Sequence, residues 1–563
     1  MPENTPAPLS PHYYRDNFLL LCVTVQARYG DILDAAEIQV LDCLQALHFD
    51  AQCLYIRLVS RTGPWFRESK LDYPEIESPN RALDALLGTG MALRPHGLEV
   101  QELGQLFTRP ELDKAFAPHL AGATLRGKAE LLDAIADLAL DDAQTLALLR
   151  RVDAQRIVAP AHGELIDTLQ LLFFGNRRQD LTDFVLEDLG VTRHYPYALD
   201  QAGRLFADRA ALDEYQACAA LSDAHYELVE LGLADQLPAL AGKVAEVEVN
   251  YTSSRSRYYR LCNNLARDLE RLEETTLAST LYARSERHPA RERRARILEK
   301  AQDFQAARDL CADILAAPWC EAEQEAATRI LPRVLRKLGE KPIARRRDSF
   351  RDVSVELEDT GERVELLVAR HLQADWPAVH YLENSLFNSL FGLAFWEEIF
   401  SPVPGVFHHP YQAGPSDMYE PAFCQRRGDL IARRLQQLQE SDLARELAAA
   451  YRRYHPYQCR WVDWRRVDEA LVEAAARVIP AKHLVAIFER LLFDPRENRS
   501  GFPDLVALGE NCGDYCLVEV KGPGDALQDS QKRWLRFFHE HDIPAQVARV
   551  DWRREPPTGE TDD

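Results

Sequence analysis

The sequence predicts a multidomain chain, mostly α-helical in its N-terminal and middle regions and ending in a C-terminal α/β domain. Three observations carry that prediction. The 563 residues are 46% hydrophobic and 28% charged, a globular composition on a chain long enough for three or four cores. Apolar residues recur at three- and four-residue intervals through most of residues 13–341, the period of an amphipathic helix. Near the end the pattern changes to two short strands, Leu505 to Leu508 and Tyr515 to Lys521, joined by a turn containing Gly509, Asn511 and Gly513.

Taken in order, the chain divides at 1–88, 89–158, 159–365 and 366–563. The first region reads as helices in NFLLLCVTVQARYGDIL and EIQVLDCLQALHFDAQCLYIRLVSR, although Tyr55-Ile56-Arg57-Leu58 alternates and also suits a strand. The second holds short helices. Its piece from Leu125 to Ile135 places the basic loop Arg126-Gly127-Lys128 before a helix, whose N-terminal amides can face phosphate. That piece resembles the second half of a SAP-type DNA-binding module, with no clear first half, and an ordinary helix start fits equally well.

In the third region, Glu270 to Ala283, Ala290 to Glu299, Phe304 to Ala316 and Ala322 to Leu338 read as amphipathic helices joined by short turns. They resemble tetratricopeptide-type (TPR-like) helix pairs; without their signature at a fixed period, a plain bundle remains open. Arg345 to Arg347 and the stretch from Arg351 to Arg363 read as a linker into the last region. There Val379 to Trp396 has helical periodicity.

Charge argues against nucleic acid at first sight: 67 Lys plus Arg stand against 89 Asp plus Glu, a net charge of -22, and a polyanion repels a polyanion. Screening over about 10 Å makes local distribution decisive. Basic residues do cluster, at Arg255, Arg257, Arg260, Arg267 and Arg271, at Arg291, Arg293, Arg294 and Arg296, and at Arg345 to Arg347. With Tyr251, Tyr258 and Tyr259 among them they suit a nucleic-acid surface; solvated helix faces paired with glutamates are the other reading. Eleven cysteines lack a metal-ligand rhythm and suit a reducing compartment. The start, MPENTPAPLSPHYY, is polar, and Phe18 to Val25 is too short to span a bilayer. The expected location is cytoplasmic, nucleoid-associated in a bacterium or nuclear in a eukaryote.

The chemistry gathers at the hairpin. Glu519 and Lys521 share one strand face while Val518 and Val520 point to the other, and the returning strand can bring Asp504 to the charged face. Two carboxylates holding a hard divalent cation, with a lysine aimed at water or phosphate, would satisfy every charge. Pro503-Asp504, fourteen residues, then Glu519-Val520-Lys521 matches the PD-(D/E)XK nuclease signature; solvated residues on a hairpin edge also produce it. Upstream, Glu383 heads a stripe with Phe387, Leu390 and Ala394 on the face expected to be buried, where a carboxylate needs a partner, unless it is a helix-start residue facing water. Gln531 is the polar member of a face with Leu527, Trp534, Leu535 and Phe538, in reach either of the site or of a structural hydrogen bond only. Glu397 and Glu398 fall one or both outside the site, and His408 and His409 are poor ligands for a hard cation.

The block Leu517 to Pro523, with Gln531, Trp534 and the short strand Gln546 to Val550, resembles the virus-type replication-repair nuclease domain (VRR-NUC), and within it the Fanconi-associated nuclease family. Leu171 to Gly175 followed by Leu181 to Gly190 resembles the same family ahead of its helical repeats. The resemblance implies a structure-specific nuclease of a bacterial member: 5′-flap endonuclease and 5′ to 3′ exonuclease on branched DNA, in interstrand cross-link repair. It further implies one or two Mg²⁺ or Mn²⁺ ions held by Glu383, Asp504, Glu519 and the Val520 carbonyl. Lys521 would position or deprotonate the attacking water, Gln531 bond that water or a phosphate, and Arg496 meet a terminal phosphate. Two other readings stay open: a restriction-type or Holliday-junction nuclease, and a catalytically inactive helical-repeat scaffold that binds DNA.

Overall fold

The computed structural model describes residues 10–61, 63–120, 126–177, 179, 193–341, 348 and 350–553. The chain forms two compact units, Met1–Thr192 and Arg193–Asp563.

In the first unit, helices Tyr13–Tyr29, Ala35–Ala46, Phe49–Val59 and Pro79–Thr89 bury a common core through Phe18, Leu21, Leu54 and Leu83. Residues Tyr55 to Leu58 are helical, so the alternation read there is not a strand. The period is obscured because almost the whole circumference is buried, from Ala51 to Ile56. The unit also contains a small antiparallel sheet, in the order β1 (Phe66–Arg67), β3 (Ile157–Pro160), β2 (Ala92–Leu93). Short helices Val100–Leu106, Arg109–Phe116, Lys128–Asp137 and Asp142–Leu149 enclose Leu103, Leu112, Phe116 and Leu131. Capping boxes at Glu99/Glu102, Thr108/Glu111 and Asp141/Gln144 satisfy amides at the starts of three of them. Lys128 Nζ donates to the Gly104 carbonyl, whereas Leu125 lies outside the described residues. Helix Gly163–Phe174 buries Leu171 to Phe174 and stops at Gly175, φ 69°; the motif from Leu181 to Gly190 lies outside the described residues.

The second unit starts with a short strand, β4 (Arg193–His194), and continues in helices Arg209–Glu230, Leu237–Glu246, Thr252–Arg271, Thr275–Ala283, Ala290–Lys300, Phe304–Ala316 and Glu321–Lys337. From Thr252 onward each packs on the next, as stacked helix pairs do. The helix expected over Glu270 to Ala283 is broken: Glu273 is left-handed, φ 65°, and the Glu274 N–H returns to the Leu269 carbonyl, closing one helix before the next begins. Part of the 291–296 arginine cluster serves this packing. Arg291 pairs with the fully buried Glu323, Arg293 with Glu270 and Arg296 with Glu292. Tyr258 is core, its hydroxyl donating to the Val244 carbonyl, not a surface tyrosine. Arg255, Arg260, Arg267 and Arg271 remain exposed along one helix, and Arg345 to Arg347 lie outside the described residues.

A five-stranded sheet completes the unit: β5 (Asp352–Leu357), β6 (Ala378–Tyr381), β8 (Leu505–Leu508), β9 (Tyr515–Lys521) and β10 (Ala545–Trp552), with β7 (Tyr457–Gln458) pairing β4 elsewhere. Its order is β5-β10-β9-β8-β6; β5, β10 and β9 run parallel, and β8 is antiparallel to both β9 and β6. The stretch read as a linker therefore supplies an edge strand. The sheet is covered on both faces, as parallel pairing favours. Leu505, Ala507, Val518 and Val520 pack under helix Val364–Leu372, and Val506, Leu508, Tyr515 and Leu517 pack with Trp534 and Phe538 of helix Asp529–Glu540. Each fully buried aliphatic side chain contributes about 1.5–3 kcal/mol, and a one-residue register slip would exchange the two sets.

The single helix expected from Val379 to Trp396 is instead strand β6, a turn and helix Ser385–Ala394. The apolar stripe Phe387, Leu390 and Ala394 is buried as expected, but Glu383 precedes the helix in the left-handed region, φ 45°.

Candidate active site

The register Leu505↔Val518, extended by one position, sets Asp504 opposite Glu519 on one sheet face. That face is apolar further along β9, at Tyr515 and Leu517, so the carboxylates stand where the core ends. Asp504 Oδ2 accepts the Val520 N–H at 2.9 Å. Because the N–H and C=O of a strand residue point to the same neighbour, the Val520 carbonyl is aimed at the same edge, beyond the first residue of β8.

Glu519 is fully buried. Its Oε1 accepts Lys521 Nζ at 2.9 Å and Gln531 Nε2 at 2.5 Å, while Oε2 is buried without a hydrogen-bond partner. Gln531 stands in the first turn of helix Asp529–Glu540, its own Oε1 held by the Gln528 N–H. The helix begins after Leu527, which is therefore not part of its apolar face. Gly501, φ 90°, lets this helix start lie close: a Cβ there would stand 2.7 Å from Ser530 Cβ.

Burial pushes the Glu519 carboxyl up to about 7, with the charge of Asp504 adding to it and Lys521 opposing. Asp504 is pushed up to about 6, again by burial first, with Glu365 and Glu383 raising it further. Two mutually repelling buried acids, one with an orphaned oxygen, are relieved by a cation. The donors are carboxylate and carbonyl oxygens, suited to a hard divalent ion. The residues fit such an ion.

Glu383 adjoins this pair through the backbone: the N–H groups of Leu382 and Glu383 both donate to the Asp504 carbonyl, at 3.0 and 3.1 Å. Its side chain is turned to the Tyr381 hydroxyl, which donates to Oε1, and to Arg466, 3.7 Å from Oε2. Among the described residues no three His, Cys, Asp or Glu side chains stand together at ligating spacing, as that orientation of Glu383 implies. Arg496 is placed apart from the hairpin carboxylates' own contacts. It pairs with Glu420 at 3.1 Å and donates to the Tyr419 carbonyl, and Arg287 of the helical array binds the other Glu420 oxygen. Glu397 accepts the Tyr454 hydroxyl and pairs with Arg453, outside the site; His408 and His409 are buried in a loop with Gln412.

Sequence reasoning missed Tyr381, Arg466 and Glu365. The run Trp376-Pro377-Ala378-Val379 carried a signal for the first, since Pro377 opens a strand more readily than it continues a helix. No spacing marks Arg466 or Glu365.

Family models match along the chain: the FAN1 HTH domain at residues 12–92, the Fanconi anemia-associated nuclease SAP domain at 97–147, and the VRR-NUC domain at 438–552. The SAP match supplies the first half that the sequence reading did not find, in helices Val100–Leu106 and Arg109–Phe116. The Fanconi-associated nuclease 1 homolog of Pseudomonas aeruginosa is 36% identical over 559 residues, covering 98% of each chain. The chain belongs to the Fanconi-associated nuclease family. The homolog from Arabidopsis thaliana is 24% identical over 95% of this chain and 67% of its own. The crystal structure of paFAN1 bound to a 2-nucleotide 5′ flap DNA with gap superposes with a TM-score of 0.85, 35% identity, and coverage of 98% of this chain and all of that one. A second, with a 1-nucleotide flap, gives 0.83 over 97% of this chain, at 35% identity. As a family member with this domain order, the protein is a DNA nuclease dependent on divalent metal. No helix among the described residues is long and apolar enough to cross a membrane.

Proposed function

We propose that the protein is a 5′-flap endonuclease and 5′ to 3′ exonuclease acting on branched DNA in interstrand cross-link repair, working in the cytoplasm on nucleoid DNA. The observation that carries this is the Asp504, Glu519, Lys521 hairpin, within a chain that matches over 98% of its length a relative crystallised on a 5′ flap.

Asp504, Glu519, the Val520 carbonyl and a reoriented Glu383 would hold one or two Mg²⁺ or Mn²⁺ ions. An ion bound there would supply polarisation of the scissile phosphate and a lowered pKa of the attacking water. Lys521, on the face of Glu519, would orient that water, accept its proton when in the neutral amine form, or as the ammonium offset charge growing on the phosphate. Gln531 fixes Glu519 Oε1, leaving Oε2 for the ion. Arg496, half-exposed beside Glu420, receives a terminal 5′-phosphate. Residues 1–88, 89–158 and 159–365 bend and hold the duplex for the domain at 366–563, whose sheet recruits its edge strand from residues 352–357.

Cleavage of end-labelled 5′-flap DNA with Mn²⁺ or Mg²⁺ tests the reading. Metal-dependent cutting near the junction, lost in Asp504→Ala and reduced in Lys521→Ala, is expected. Equal cutting of unbranched duplex would favour a restriction-type enzyme, and flap binding without cutting under any metal an inactive scaffold.

A further inference from the structure

Arg466 stands beside Glu383 without a close partner distance to it. Its Nη1 is 3.7 Å from Glu383 Oε2 and its Nε 4.0 Å from Asp463 Oδ2, against about 2.7–2.9 Å for a well-formed charge-assisted hydrogen bond. Its side chain is 45% exposed. The backbone that carries it is fixed. The Asp463 N–H donates to Ser389 Oγ at 3.0 Å, Ser385 Oγ donates to Asp463 Oδ2 at 3.3 Å, and the N–H groups of Arg466 and Val467 both return to the Asp463 carbonyl. Val467 is fully buried and Trp464 Nε1 donates to the Tyr457 carbonyl. Both serines belong to the helix that follows Glu383, so loop and carboxylate are referenced to one element.

A loosely paired guanidinium on a rigid loop is poor for stability, since an exposed ion pair at this separation contributes about 0–1 kcal/mol. It is well placed to change partners. Once Glu383 turns to a divalent ion, its charge is no longer available to Arg466, and two cations face each other. The arriving DNA phosphate is an anion whose geometry matches the planar fork of a guanidinium. We infer that Arg466 is a DNA-phosphate ligand at the rim of the catalytic site, exchanging Glu383 for a backbone phosphodiester when Glu383 turns to the metal. This rests on the assignment of Glu383 to the metal site.

The test is flap binding by the full chain, with Ca²⁺ in place of the catalytic metal, for wild type, Arg466→Ala and Arg466→Lys across a range of salt. Loss of a phosphate contact is expected to weaken Arg466→Ala about tenfold, independently of sequence, and to lower the slope of log affinity against log salt by about one. Arg466→Lys is expected to keep the slope and recover part of the affinity. Mn²⁺ uptake without DNA, followed by the electron paramagnetic resonance of the free ion, is expected to be unchanged or tighter in Arg466→Ala, because Glu383 is released. Unchanged affinity and slope, or weaker Mn²⁺ uptake without DNA, overturns the inference. Glu383→Ala separates the underlying assignment: undiminished Mn²⁺ uptake there removes Glu383 from the metal site whatever Arg466 does.

Discussion

Two regions of the second unit handle charge in opposite ways. In the helical array, Glu323 is as fully buried as Glu519, yet it is surrounded by donors: Arg291 and the Trp319 N–H both bond it, and Arg291 stacks over the Trp319 ring. At the hairpin, Glu519 has one oxygen satisfied and one orphaned, with a second acid opposite. The first arrangement consumes its charge in holding helices together. The second leaves charge unmatched, which is costly in the bare protein and useful only if a cation arrives. Burial alone therefore does not single out a candidate metal-binding acid; at Glu519 it is an unpartnered oxygen together with a second acid opposite.

The sharpest way to break the comparison is Glu519→Gln. Cleavage should fall by on the order of 10³-fold or more, a barrier increase of about 4 kcal/mol, while the metal-free protein melts higher at pH 8 than wild type because a buried charge has been removed. Unchanged cleavage, or a lower melting temperature at pH 8, would contradict it. The matching substitution in the array, Glu323→Ala, should cost about 3 kcal/mol by stranding Arg291, measured by urea unfolding. Cleavage per folded molecule should be retained.

The difference has a pH signature. Glu519 titrates near 7 in the fold against 4.5 ordinarily, so the unfolded chain ionises first as pH rises. Stability of the metal-free protein should be full below about pH 4.5 and decline through pH 7, by about 3 kcal/mol for this group. Saturating Mg²⁺ should flatten that decline. Thermal melts at several pH values with chelator or with Mg²⁺ check both. The smallest effect belongs to the array's exposed pairs: Arg296→Ala, opposite Glu292, should change stability by less than about 0.5 kcal/mol.

The hairpin was legible because its information is local. A period of two on both sides of a glycine-bearing turn fixes which residues share a face, and register then places Asp504 by Glu519. Glu383 was not legible in the same way: β6 has four residues, and its partner β8 lies more than a hundred positions downstream. Apart from Pro377, nothing local distinguishes that strand from the first turn of the helix that follows. Which of the two readings holds for the 291–296 cluster was not legible for the same reason, since Arg293 and Glu270 or Arg291 and Glu323 find each other only through packing. The both-sided burial of the sheet escaped notice because Glu519 and Lys521 suggested a polar face, whereas only its end is polar.

The strand order carries one more consequence. β10 lies between β5 and β9, and it is the last of the five in sequence. While the polypeptide is being synthesised, β5 emerges without a neighbour and β9, bearing Glu519 and Lys521, has an open side until residues 545–552 follow. A nascent molecule stalled before β10 would hold a split sheet with an adhesive edge. The sheet is therefore continuous from β5 to β6 only once residues 545–552 have joined it.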